Sequence, residues 1–275
     1  MPLKLYKILL ILSAIAVITA VPTFWLTYSQ VSPLEVDFLD VGQGDAILIK
    51  TPSGQNILID GGPSSKVLNQ LGKNLSFFDK TIDLMVLTHP HDDHVNGLNE
   101  VIKRYEIKKI IYTGVAHNAP GYITWLKLVK DKKIPVTIID RPQTIAFADD
   151  CQLKILYPQK SFLNKEVNNL NNTSIVAKLI YGETSFLFTG DSEKETESQL
   201  VKTAKTNKSD LLAQVLKVGH HGSDTASTQD FLKAVSPNLA VIEVGKNNQF
   251  IRTQRCSQPS RRYVFVRSQA MWWTA

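Results

Sequence analysis

The side chains best able to do chemistry crowd into Thr88-His-Pro-His-Asp-Asp-His94, where three of the chain's six histidines stand with two aspartates. Imidazole nitrogen and carboxylate oxygen at this density suit zinc or a related first-row cation. His89 and His91 are two residues apart, so on an extended backbone their side chains leave the same face and can pinch one ion. Asp93 and His94 follow where the chain turns toward a helical pattern, and can hold a second ion beside the first. Other metal-competent residues close apolar runs: Asp60 after Ile57-Leu-Ile59, Asp191 after Phe186-Leu-Phe-Thr-Gly190, and His220-His221 after Val215-Leu-Lys-Val-Gly219. In a layered fold, loops at one sheet edge converge, so these residues can share a pocket.

A binuclear site needs nitrogen donors, a carboxylate that spans both cations and an open position for water. Asp191 is the natural bridge, with a helix N-cap as its other use, because a helical pattern follows directly. Two cations lower the pKa of a shared water toward about 7 and make hydroxide available as a nucleophile. The ligand set read from the sequence is His89, His91, Asp93, His94, Asp191 and His220. Which of His220 and His221 is the ligand stays open, the other being a supporting or substrate contact. Asp93, His221 and Lys217 are the candidate catalytic residues. Asp93 orients the nucleophile, and Lys217 either meets an anionic substrate or is simply solvated. Asp40 and Asp45 flank Val-Gly-Gln-Gly and buttress the site from behind. His117, in Gly114-Val-Ala-His-Asn-Ala-Pro-Gly121, has no partner nearby and reads as a loop residue.

The elements that must position these groups are short. Residues 34–60 read as three strands joined by tight turns, an antiparallel start to a sheet. A helical stretch covers 66–71, strand 84–88 delivers the histidine cluster, and 94–105 has helical spacing. Strands at 109–113, 135–140 and 152–157 follow, with a helix at 122–130 and a polar, asparagine-rich loop at 159–172. A hairpin spans 173–191, then a helix at 193–204, a strand at 213–218, a helix at 229–235 and a strand at 239–244.

The 275 residues, 43% hydrophobic, can bury one large core. The net charge of +6 is no nucleic-acid footprint. Setting aside Lys4, Lys7 and the five arginines after residue 250 leaves 24 of the 31 basic residues against all 25 acids. Cys151 and Cys256 are the only cysteines and read as unpaired. Two lysines precede an uncharged apolar run of 19 residues, Ile8 to Leu26. Residues 1–30 are therefore a signal peptide or, preferred here, an uncleaved membrane anchor with the body outside the cytoplasm; secretion is the alternative.

His-x-His-x-Asp-His at 89–94, Thr-Gly-Asp at 189–191 and Gly-His-His-Gly-Ser at 219–223 resemble the metallo-β-lactamase superfamily. Asp-Val-Gly-Gln-Gly-Asp at 40–45 and Lys-Val-Gly-His-His-Gly-Ser at 217–223 are more specifically similar to the C-terminal hydrolase domain of ComEC-type competence channels. The resemblance covers roughly residues 35–246. It implies an α/β fold, a four-layer αβ/βα sandwich, with two divalent ions, zinc or alternatively manganese, at the sheet edge. It further implies a hydrolase using metal-bound hydroxide on a phosphodiester, a nuclease related to DNA uptake in competence, with DNA as partner. Hydrolysis of another ester, lactone or amide, or a catalytically impaired binding module, are the competing readings.

Two departures stand out. Where many superfamily members have another histidine, this chain reads Asn171-Asn172-Thr173-Ser174; Asn172 or a water is the expected substitute. Residues 251–275 carry five arginines, no acid and no helical or strand period, where relatives continue with Gly-His-Pro, a helix and a last strand. Read one base out of register, Phe250-Ile-Arg252 permits His-Pro, and Met271-Trp-Trp-Thr274 forces Val-Val-Asp. The tail is accordingly expected to be a frameshift product beyond a hydrolase domain at 35–250.

Overall fold

The computed structural model describes residues 32–204, 211–246, the backbone of 262–266, and Lys7, Leu12, Ser13 and 15–19. Those first few residues are helical. Most of the expected anchor lies outside the described residues, and among them no helix is long and apolar enough to cross a membrane. The chain divides into two compact units, Met1–Ser32 and Pro33–Ala275.

The second unit begins with β1 (Glu35–Phe38), β2 (Ile47–Lys50), β3 (Asn56–Ile59), α1 (Lys66–Asn74), β4 (Thr81–Ile82) and β5 (Leu84–Val86). It continues with α2 (Asp92–Arg104), β6 (Glu106–Ile107), β7 (Ile110–Tyr112), α3 (Pro120–Asp131) and β8 (Val136–Ile138). The second half holds β9 (Gln143–Ala146), β10 (Gln152–Tyr157), β11 (Val176–Tyr181), β12 (Thr184–Phe188), α4 (Lys194–Ala204), β13 (Val215–Lys217), α5 (Gln229–Val235), β14 (Leu239–Glu243) and β15 (Arg262–Val266). One sheet has the order β1-β2-β3-β5-β7-β8, the other β15-β14-β13-β12-β11-β10-β9, and β4 with β6 forms a small pair.

Alternation along the strands explains the layers. Ile47, Ile49, Ile57, Ile59, Leu84, Val86 and Ile111 face residues of the second sheet such as Leu153, Ile155, Leu179 and Phe188. The intervening Leu48, Leu58, Met85 and Ile110 pack under α1, α2 and α3 with Val67, Leu98, Val101 and Trp125. On the far side, Val176, Leu187 and Leu216 pack under α4 and α5 with Leu200, Phe231 and Val235. Strands buried on both faces read as unbroken apolar runs. The result is the expected αβ/βα sandwich.

The first three strands are antiparallel, as read from the sequence, while β3, β5, β7 and β8 run parallel, as do β12 to β15. The exposed strand β9 had escaped the sequence reading, because its burial is too slight to impose a pattern. The tail was expected to lack a strand, yet the backbone of 262–266 pairs in parallel with β14. Unpaired amides and carbonyls at the open side of β14 give a physical reason.

Two backbone contacts fix α2 against the turn after β3. Gly61 N–H donates to His94 O and Gly97 N–H to Gly62 O, both at 2.9 Å. A Cβ at Gly97 would lie 1.8 Å from Gly61 O, which is backbone and cannot yield. Gly97→Ala is therefore expected to cost at least ~2 kcal/mol, read as a lowered midpoint in denaturant unfolding. Cys151 is a buried free thiol, and burial pushes its pKa up to about 11. Peptide-resolved mass spectrometry after alkylation at pH 8 should find Cys151 unmodified in native protein and modified in denaturant.

Candidate metal centre

β3 ends in Asp60, whose left-handed backbone (φ 56°) is a conformation that aspartate tolerates better than most residues. Thr88 N–H and Oγ1–H donate to its two carboxylate oxygens at 2.8 and 2.6 Å. Asp60 Oδ2 in turn lies 2.8 Å from His94 Nδ1. Just past β5, His89 Nδ1 meets Thr88 Oγ1 at 3.1 Å, and its Nε2 faces His91 Nδ1 at 3.0 Å. Asp93 and His94 stand in the first turn of α2, where the free amides favour carboxylates.

The second sheet completes the cluster. Asp191 follows Gly190 after β12, and its amide donates to Ser174 Oγ at 3.1 Å. Asp191 Oδ2 lies 3.3 Å from Nε2 of both His94 and His221, and 3.8 Å from His89 Nε2. Asp93 Oδ2 is 3.3 Å from His221 Nε2. Within one ligand's reach of each other are His89, His94 and Asp191; Asp93, His94 and His221; Asp45, Asp60 and His94; and Asp45, Asp191 and His221.

This donor set fits divalent ions. Nδ1 of His94 is held by Asp60 and Nδ1 of His221 by Glu243 O at 2.9 Å, while Nε2 of both is buried without a hydrogen bond. Asp191 Oδ1 is likewise buried without a hydrogen bond. A histidine whose far nitrogen is fixed by a carboxylate or carbonyl presents its other lone pair for ligation. Burial opposes charge on His94 and His221. Asp191 nonetheless outweighs it, with Asp60 beside His94 and Asp45 beside His221, and holds both well above the usual histidine value. Burial pushes His89 well below it, so His89 is a neutral donor. Burial also works against ionised Asp191, but His94 and His221 keep it well below the usual carboxylate range. The centre has excess affinity for positive charge, protons or metal.

Of the residues singled out from sequence, His89, Asp93, His94, Asp191 and His221 converge, and His91 adjoins them through His89. His220 does not: of the two neighbouring histidines, it is His221 that turns into the cluster. Both histidines have left-handed backbones (φ 47° and 52°), and their rings diverge, 6.2 Å apart and inclined by 62°. His220 Nδ1 is engaged by Thr225 Oγ1 at 2.9 Å and Glu193 at 3.0 Å.

Lys217 is buried rather than solvated. It is ion-paired with Asp45, 3.8 Å from Asp191 Oδ1, and donates to Gly190 O at 3.0 Å. Burial disfavours its charge, but Asp45 and Asp191 raise its pKa above the ordinary value.

Asn172 is spent as a cap for α4, accepting from Glu193 N–H and Thr196 Oγ1 at 3.0 Å each. Asp45 buttresses His221 at 3.3 Å, whereas Asp40 only closes its own turn onto Gly42. Glu243, unforeseen from sequence, accepts from Ala46 N–H at 3.1 Å and so ties β14 to the Asp45 turn. His117 proves less isolated than its sequence neighbours suggest. Its ring lies 6.3 Å from Tyr122.

Two sheets face to face, helices outside and a histidine–aspartate cluster at the strand ends define a metallo-hydrolase type of architecture. A model of the metallo-β-lactamase superfamily matches residues 39–245, and the chain belongs to that superfamily, whose members are mostly hydrolases and typically bind divalent metals. It is 28% identical over 233 residues to ComE operon protein 3 of Bacillus subtilis (strain 168), covering 78% of this chain and 29% of that protein. It is 29% identical over 217 residues to competence protein ComA of Neisseria gonorrhoeae, covering 77% of this chain and 27% of that one. The chain thus spans less than a third of the length of these relatives. Among solved structures, the metallo-β-lactamase fold protein YhfI of Bacillus subtilis superposes with a TM-score of 0.57 at 14% identity, over 88% of this chain and all of that one. Igni18, a metallo hydrolase of Ignicoccus hospitalis, gives 0.55 at 17% identity, over 88% and 99%.

Proposed function

We propose that this protein is a phosphodiesterase or nuclease that holds two divalent ions, zinc or manganese, and acts outside the membrane in a DNA-uptake setting. The observation that carries this is the position of Asp191. Its Oδ2 lies within 3.8 Å of Nε2 of His89, His94 and His221 at once, close enough for one carboxylate to serve two ions. His89, His91 and Asp191 would hold one ion; Asp93, His94, His221 and Asp191 the other. Bound there, the ions supply Lewis acidity and a water of lowered pKa as nucleophile. Asp93, partly exposed at the helix start, lies 3.3 Å from His221 Nε2 and can orient that water. Asp60 and Glu243 O fix the imidazoles so that neither ring need turn when the site is loaded. Similarity to competence proteins supports DNA as the substrate class. The apolar run at 8–26 supports a membrane tether, with secretion as its alternative.

The test is elemental analysis of purified protein, followed by hydrolysis assays on bis(4-nitrophenyl) phosphate and single-stranded DNA. About two ions per chain and phosphodiester turnover are expected, with turnover abolished by chelator and restored by zinc or manganese. In Asp93→Ala it should fall by about 10²-fold or more, ~3 kcal/mol of barrier. Turnover of carboxylic esters or lactones alone would move the assignment to another hydrolase class. Weak metal binding and no turnover would make the chain a binding module.

A further inference from the structure

The edge opposite the metal centre carries a second distinctive surface. Phe77 and Phe78, on the turn between α1 and β4, are 80% and 89% exposed. Their rings meet edge to face at 5.3 Å, and Lys80 Nζ lies 5.6 Å over Phe77. Two adjacent exposed rings form an apolar patch of the kind that marks an interaction site. The parallel strands β3, β5, β7 and β8 all start at this edge, and the segments feeding them carry its charge. Residues 73–83, 100–109 and 130–133 hold nine Lys and Arg against five Asp and Glu, a local excess of four in a body whose total charge is near neutral.

The chain also enters the domain here. Glu35, the first residue of β1, pairs with Lys50, and Lys50 Nζ donates to Asn74 O at 3.2 Å, three residues before Phe77. The apolar run ends at Leu26, nine residues before Glu35. Nine extended residues reach at most ~30 Å, so a chain anchored through that run holds the domain within reach of a bilayer.

We propose that this edge contacts an anionic lipid surface, Phe77 and Phe78 entering the headgroup layer and the surrounding lysines meeting lipid phosphates, with the metal centre facing away. Aromatic rings favour the membrane interface, and basic residues beside it are attracted to anionic lipid. The inference rests on reading residues 8–26 as an anchor and is independent of the phosphodiesterase assignment.

Because Pro33–Ala275 is a compact unit holding all three cores, it can be tested without the apolar run, with a cooperative melt as the check on folding. Co-sedimentation would use vesicles of phosphatidylglycerol with phosphatidylcholine, and of phosphatidylcholine alone. Binding to the anionic vesicles, weakened about tenfold or more by Phe77→Ser/Phe78→Ser and by 0.5 M salt but unchanged by Leu163→Ser, is the expected result. No binding to anionic vesicles, or equal binding by the double variant, would overturn it. So would a soluble dimer that the double variant abolishes, which would assign the patch to a second copy of the chain. Recovery of the full chain in a membrane fraction tests the anchor separately.

Discussion

Asp191→Asn is expected to remove about 10³-fold or more of phosphodiester turnover, equivalent to ~4 kcal/mol of barrier, and to lower bound metal from about two ions to one or none. Its carboxylate stands within 3.8 Å of three histidine nitrogens. The amide keeps the volume and one oxygen but loses the charge that draws cations to the cluster. Elemental analysis alongside single-turnover rates distinguishes two outcomes. Full metal content with slow turnover would mean that Asp191 serves only orientation, and would refute its role as the bridge.

Lys217→Met should show a large loss of stability, ~3–5 kcal/mol, because removing one partner of a buried pair strands the other charge. Asp45 is buried beside it and keeps His221 at 3.3 Å and His94 at 4.0 Å as its remaining partners. Adding Asp45→Asn should recover part of the loss, and the coupling is read from a double-mutant cycle in urea. A lysine that met substrate would behave otherwise, raising KM with little change in unfolding midpoint.

Much of the site was legible because its residue types are rare and cluster at the ends of apolar runs. His89, His91, Asp93, His94 and Asp191 stand out as candidates without coordinates, and the layered fold follows from strands buried on both faces. Two errors have a common cause. Whether His220 or His221 turns inward depends on two successive left-handed residues, for which neighbouring histidines carry no signal. Whether Lys217 is solvated depends on Asp45, 172 residues earlier in the chain. Glu243 was missed for the same reason, since its side chain and its carbonyl serve different segments. The basic edge escaped notice because it is assembled from three separated segments whose charge disappears in the whole-body balance. The frameshift reading of 251–275 is testable by sequencing the 3′ end of the gene; an intact frame with no alternative downstream would refute it.

The reciprocal amide bonds joining Gly61 and Gly62 to His94 and Gly97 bear on the speed of metal capture. They bolt the turn carrying Asp60 to the helix carrying Asp93 and His94, so two of the six proposed ligands, and the carboxylate that orients one of them, are already arrayed before any ion arrives. Loading then requires little conformational search, and the slow event becomes the stripping of water from the incoming cation. Stopped-flow uptake should accordingly rank metals by their water-exchange rates, with a weak dependence on solvent viscosity.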